Sequence, residues 1–201
     1  EIWVIKKALY GLRQAPRAWG THRDAALAKL SFTSPDGSEV WLNQLRTDPC
    51  VWQILCRKDA ETTVQGWIVT YEDDLLAISQ GDFGYQVLSH VAAIWKCSDI
   101  EILTPGVEVT FLGLKITLTD KGIFIHQKHY IQELLNKYEC SNVTPANTIL
   151  GSDEGALGGD TPDTVKGALD YPLLLKEAQK RCGELLWLAS RTRPDLCYTV
   201  Q

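Results

Sequence analysis

Four polar residues, Tyr71-Glu72-Asp73-Asp74, stand between two short runs that are almost wholly apolar, Trp67 to Val69 and Leu75 to Ile78. Runs this short, rich in Ile, Val and Leu and separated by a polar cluster, predict two strands joined by a tight turn. Apolar strands on both sides fix such a turn rigidly, so Asp73 and Asp74 are presented at one spot. Hard divalent cations such as magnesium favour oxygen ligands of this kind and keep waters for substrate phosphates. Two metal ions held about 3.5–4 Å apart activate an attacking hydroxyl and stabilise the leaving oxygen of an in-line phosphoryl displacement, of which nucleotidyl transfer is one case. For the dipeptide alone, the plainer reading is an acidic hairpin turn exposed to solvent, because Asp is common in turns.

The rest of the chain organises around this unit. Glu1 to Tyr10 reads as a short strand entering a turn at Gly11, and Pro16 opens a helix whose stripe is Trp19, Ala26, Leu27 and Leu30. Pro35-Asp36-Gly37 is a turn signal. Pro49 to Arg57 and Thr63 to Thr70 predict a hairpin around the polar Lys58 to Glu61. Tyr85 to Trp95 has helical spacing in Val87, Leu88, Val91, Ile94 and Trp95. Val109 to Thr117 and Gly122 to His126 predict a further hairpin around Asp120-Lys121-Gly122, and His129 to Tyr138 an amphipathic helix with Tyr130, Ile131, Leu134, Leu135 and Tyr138 on one face. Apolar periodicity disappears over Ser141 to Lys166, which reads as a linker. Tyr171 to Ser190 resumes a helix in which Leu174, Ala178, Cys182, Leu185 and Leu186 are expected to pack together.

Composition bounds the possibilities. A chain of 201 residues with a hydrophobic fraction of 45% holds one medium or two small folded domains. The net charge of -5 argues against a freestanding nucleic-acid binder without excluding a local basic surface. The six cysteines form no C-x-x-C pair and suggest neither a metal knuckle nor a disulfide framework, so a reducing compartment is expected. His22, His90, His126 and His129 show no metal or nucleophile spacing and read as structural. No membrane association is expected, since charge interrupts every apolar run well short of spanning length. The chain lacks Met and opens directly on strand-like residues, which reads as an excerpt of a larger unit.

Ordered matches along the chain carry a family resemblance. Ala8-Leu9-Tyr10-Gly11-Leu12-Arg13-Gln14-Ala15-Pro16-Arg17-Ala18-Trp19 resembles a diagnostic segment of copia-type retrotransposon reverse transcriptases, and Tyr71-Glu72-Asp73-Asp74 resembles their Tyr-x-Asp-Asp hairpin. Phe111-Leu112-Gly113-Leu114-Lys115-Ile116, Gly122-Ile123 and Gln127-Lys128-His129-Tyr130-Ile131 look like the primer-grip hairpin and thumb start. Thr192-Arg193-Pro194-Asp195-Leu196-Cys197-Tyr198 resembles the approach to a ribonuclease H domain.

The resemblance implies an α/β (α+β) fold: an antiparallel palm sheet with packing helices, then a small helical thumb and the start of a connection segment. Its expected divisions are a partial palm over 1–108, primer grip and thumb start over 109–140, a linker over 141–170 and a connection helix over 171–201, with one sheet holding both hairpins. The implied activity is RNA-directed DNA synthesis with magnesium, or alternatively manganese. The implied partners are an RNA or DNA template with its primer, deoxynucleoside triphosphates, and the fingers, integrase and ribonuclease H of a Pol polyprotein.

By resemblance Asp73 is the more direct metal ligand and Asp74 its neighbour, and Tyr71 faces the primer end. Gly11, Gln14, Ala15 and Pro16 shape the floor of the nucleotide and template pocket, Tyr10 packs near the incoming nucleotide, and Leu112 and Gly113 belong to the primer grip. Lys6, Lys7, Arg13 and Arg17 suit phosphate contacts or, equally, a solvated basic face. Trp3, Trp41, Trp52, Trp67, Trp95 and Trp187 lie in apolar runs and read as core or half-buried residues rather than base-stacking platforms.

Two departures stand out. The family's remaining metal-binding aspartate lies on a strand upstream of Tyr10-Gly11, and this chain starts after it, so the 201 residues alone are expected to be inactive. Glu72 occupies a position usually small or apolar, and either repels template phosphate, adds a nonstandard ligand, or records the decay of an inactive element. The rival reading is accordingly a noncatalytic remnant that binds nucleic acid or protein.

Overall fold

The computed structural model describes residues 8–9, 11–144 and 171–200. The predicted strand at 1–5, Trp3, Lys6, Lys7, Tyr10 and nearly all of the predicted linker lie outside those residues. The chain divides into two compact units, Glu1–Ile102 and Leu103–Gln201.

The first unit begins with helix α1 (Ala15–Leu27), opened by Pro16 in its first turn, and continues into five strands: β1 (Ser31–Thr33), β2 (Glu39–Gln44), β3 (Val51–Lys58), β4 (Glu61–Tyr71) and β5 (Asp74–Ser79). Helix α2 (Phe83–Ile94) follows. The strands form one antiparallel sheet in chain order. Alternation decides which face is covered. Val40 and Leu42, then Trp52, Ile54 and Cys56, then Ile68 point to one side, where Leu27 and Leu30 from α1 and the following turn, with Val87 and Val91 from α2, close the core. Fully burying each such side chain contributes about 1.5–3 kcal/mol. The opposite side carries Trp41, Trp67 and Ile78 and stays open, Trp67 being 40% exposed rather than half-buried as expected from its apolar surroundings.

The β3–β4 and β4–β5 hairpins were legible from sequence, but β1 and β2 were not. The Pro35-Asp36-Gly37 signal is in fact the turn between them, where the Gly37 amide donates to the Ser34 carbonyl at 2.9 Å.

The second unit contains a three-stranded antiparallel sheet, β6 (Glu108–Phe111), β7 (Leu114–Thr119) and β8 (Gly122–His126). Helices α3 (Lys128–Lys137), α4 (Tyr171–Arg191) and the short α5 (Cys197–Val200) complete it. Three expectations are corrected here. Residues 109–117 are not one strand: Leu112 and Gly113, with φ of 51° and 75°, form a tight turn that folds β6 onto β7. The two expected hairpins do not share a sheet: among the described residues β6–β8 form a separate three-stranded sheet. The predicted stripe of α4 does not form a core: Leu174, Leu185 and Leu186 are 59%, 43% and 46% exposed, and burial falls instead on Leu188 and Ala189. On α3, Leu134 is buried as expected while Leu135 is exposed. Among the described residues no helix is long and apolar enough to cross a membrane.

Candidate active site

Strands β4 and β5 pair from Gly66 with Ser79 up to Tyr71 with Asp74, leaving Glu72 and Asp73 as a two-residue turn. The register determines where the tip residues point. Ile68 and Thr70 on β4 are buried on the core side, so Val69 and Tyr71 face the open side of the sheet. Their cross-strand neighbours Leu76 and Asp74 share that side. Asp73, Asp74 and Tyr71 are all exposed, as the expectation of a solvent-reaching tip requires.

The turn has an unusual backbone. Glu72 has φ of 47°, in the left-handed region that non-glycine residues seldom adopt. Two side chains of α1 meet its backbone. The indole Nε1 of Trp19 donates to the Glu72 carbonyl at 3.1 Å, and Nη1 of Arg23 donates to the same oxygen at 3.0 Å.

Both donors are themselves held. Arg23 is only 8% exposed, and its guanidinium grips Asp24 through Nε at 2.9 Å and Nη2 at 2.8 Å from Oδ1. Trp19 packs edge-on against Trp95, with ring centroids 5.3 Å apart. At the foot of the turn, Thr70 donates through its amide and its hydroxyl to the Cys50 carbonyl, at 2.8 Å and 3.2 Å.

The segment leading into α1 is a series of tight turns. Gly11, with φ of 89°, lets the chain reverse, and the amides of Leu12 and Ala15 donate to the carbonyls of Leu9 and Leu12. Gln14 and Pro16 are exposed and Ala15 half-exposed, all at the N-terminal end of the helix that reaches the hairpin tip. Sequence reasoning placed Trp19 in the helical stripe but passed over Arg23. The available signal was spacing: Arg23 lies four residues from both Trp19 and Leu27, on the stripe itself.

Leu112 and Gly113 occupy the β6–β7 turn in the second unit.

The donor chemistry of the tip suits one magnesium ion, which is ordinarily bound by one or two carboxylates plus substrate phosphates. Among the described residues no group of three His, Cys, Asp or Glu side chains gathers to hold a metal.

Comparison with known proteins identifies the family. The family model "Reverse transcriptase (RNA-dependent DNA polymerase)" matches residues 1–150. The Retrovirus-related Pol polyprotein from transposon TNT 1-94 of Nicotiana tabacum is 26% identical over 201 residues, covering 99% of this chain and 14% of that protein. The Putative transposon Ty5-1 protein of Saccharomyces cerevisiae is 24% identical, over 99% of this chain and 56% of that protein. The Retrovirus-related Pol polyprotein from transposon RE1 of Arabidopsis thaliana is 25% identical over 99% of this chain and 12% of its own length. No solved structure matches at a significant level. With the acidic hairpin, the Gly-turn and Pro-started helix, and the family match all falling on the same residues, the chain belongs to the reverse transcriptase (RNA-dependent DNA polymerase) family, as a partial, copia-type retrotransposon member.

Proposed function

We propose that this chain is the palm-to-thumb part of a retrotransposon RNA-directed DNA polymerase, and that the β4–β5 tip is its metal site. One observation carries the reading: Asp73 and Asp74 sit exposed at the end of a hairpin whose turn is anchored to the helix of the family-matching segment.

On this reading Asp73 and Asp74 provide hard oxygen ligands, and Tyr71 presents its ring beside Asp74 to the primer terminus. Gly11 reverses the chain so that Gln14, Ala15 and Pro16 border the template and nucleotide; Tyr10, outside the described residues, is assigned there by resemblance. When bound, magnesium supplies charge stabilisation to the attacking and leaving oxygens of the phosphoryl transfer. The chain's own contribution is positioning, which dominates catalysis of this reaction class. Leu112 and Gly113 keep a primer-grip role by resemblance alone. The partners are a primed RNA or DNA template, deoxynucleoside triphosphates and the remaining domains of a Pol polyprotein.

Two carboxylates cannot anchor two ions well, so the 201-residue chain by itself is expected not to extend a primer. Glu72, a third carboxylate at the tip, favours as second reading a noncatalytic binding remnant. Primer extension on an RNA template separates the two. Joined to its genomic upstream sequence, the polymerase incorporates nucleotides with magnesium and loses that activity on Asp73→Asn. A remnant stays inactive in every form.

A further inference from the structure

We propose that Trp19 and Arg23 are positioning residues that set where Asp73 presents its carboxylate, by jointly holding the Glu72 carbonyl; the proposal rests on the reading of the tip as a metal site. A sheet ladder fixes a hairpin within the plane of the sheet but restrains its last turn weakly, since the two turn residues lie beyond the final pair, here Tyr71 with Asp74. An added restraint from outside the sheet is therefore what makes a tip rigid.

That restraint falls on one peptide unit. The Glu72 carbonyl belongs to the planar group that ends at the Cα of Asp73, so fixing the oxygen fixes that Cα through a bond that does not rotate. Two donors occupy the oxygen, Trp19 Nε1 at 3.1 Å and Arg23 Nη1 at 3.0 Å, and one of them is charged, which makes its hydrogen bond the stronger. The donors stand four residues apart on α1 and so project from the same face of the helix.

Neither donor is free to wander. Asp24 holds the fork of Arg23, and Trp95 with His22 lies around the Trp19 ring, at centroid distances of 5.3 Å and 5.9 Å. Asp24 also offsets the positive charge of Arg23, so what α1 delivers to the tip is chiefly geometry. A purely structural role would bind α1 to the sheet anywhere along it. Both hydrogen bonds instead converge on the one peptide preceding Asp73.

The test uses the 201-residue chain with manganese as the probe. Trp19→Phe and Arg23→Met each remove one donor with limited change in shape, and Arg23→Lys keeps a cationic donor. Free manganese is measured by electron paramagnetic resonance, and amide exchange is resolved by residue. The proposal predicts that exchange at the Tyr71 and Asp74 amides quickens about tenfold in Trp19→Phe and Arg23→Met, and that manganese affinity falls several-fold, with Arg23→Lys recovering part of both. Exchange at Trp67 and Ile78, lower in the same ladder, stays unchanged.

Unchanged tip exchange and affinity in both variants overturns the proposal, and so does acceleration that is equal at the tip and at Trp67 and Ile78. Should Arg23→Met fail to fold, Trp19→Phe decides alone by the same measurements. If Asp73→Asn binds manganese as the unaltered chain does, the metal-site reading falls, and tip exchange still decides whether α1 holds the turn.

Discussion

Gly66 on β4 lies so close to Ser79 on β5 that a Cβ at position 66 would stand 2.4 Å from the Ile78 carbonyl oxygen and 2.6 Å from the Ser79 Cα. Gly66 also faces Ile54 across the sheet, beside the register shift between Ile54 and Leu55. Backbone atoms cannot swing aside as a side chain does, so any residue but glycine pushes β5 away from β4. Gly66→Ala is expected to destabilise the first unit by about 1–3 kcal/mol, as overpacking of a buried site does. Chemical denaturation measures it, and a midpoint within error of the parent chain would contradict the close approach.

The turn at Glu72 makes an opposite kind of prediction. Its φ of 47° favours residues tolerant of the left-handed region. Glu72→Asn or Glu72→Gly is expected to leave the hairpin as stable or slightly more so, whereas the β-branched Glu72→Val costs about 1–3 kcal/mol. Thermal unfolding ranks the three. Glu72→Asn is therefore the variant that removes the extra carboxylate with least disturbance, and primer extension by the upstream-joined protein with this change reports whether that charge opposes synthesis.

In the second unit, acid should loosen α3 from α4. Hydrogen bonds from Lys137 and Tyr138 hold the Glu184 carboxyl below its ordinary value of 4.5, and the same carboxylate pushes Lys137 up to about 12. A depressed carboxylate stabilises the fold above its unfolded value, and that contribution is lost as pH falls through the lowered one. The raised ammonium contributes fully below its unfolded value of 10.5 and loses the contribution as pH rises through about 12. Exchange of the Tyr138 amide, which donates to Leu134, is thus expected to quicken below about pH 4.5 beyond the chemistry of exchange itself, and Glu184→Gln flattens that dependence. An identical acid profile in Glu184→Gln would contradict this account of the pair.

Local pattern explains which parts of the fold could be read in advance. The β3–β4–β5 hairpins and helices α1 to α4 announce themselves through apolar runs, Pro16 and polar turns. Strand β2 does not, because only Val40 and Leu42 alternate against Glu39, Trp41 and Asn43, a pattern too short to stand out. The break at Leu112-Gly113 was passed over although Gly113 inside an apolar run signals one; the leucine at positive φ carries no turn signal of its own. Periodicity on α4 picked out residues able to pack, but which of them become buried depends on what the fold brings against them. The Trp19 and Arg23 contacts join residues 53 and 49 positions apart, and a lone arginine in a helix reads as an ordinary solvated charge. The acidic tip itself was legible because strand register is short-range and the two carboxylates are adjacent.

The most direct test of the metal site at Asp73 and Asp74 is residue-resolved paramagnetic broadening of the chain's amide signals by manganese. The account predicts broadening centred on residues 71–75 and its loss in Asp73→Asn, with the β4–β5 ladder still formed. Broadening centred elsewhere, or unchanged by Asp73→Asn, would contradict it.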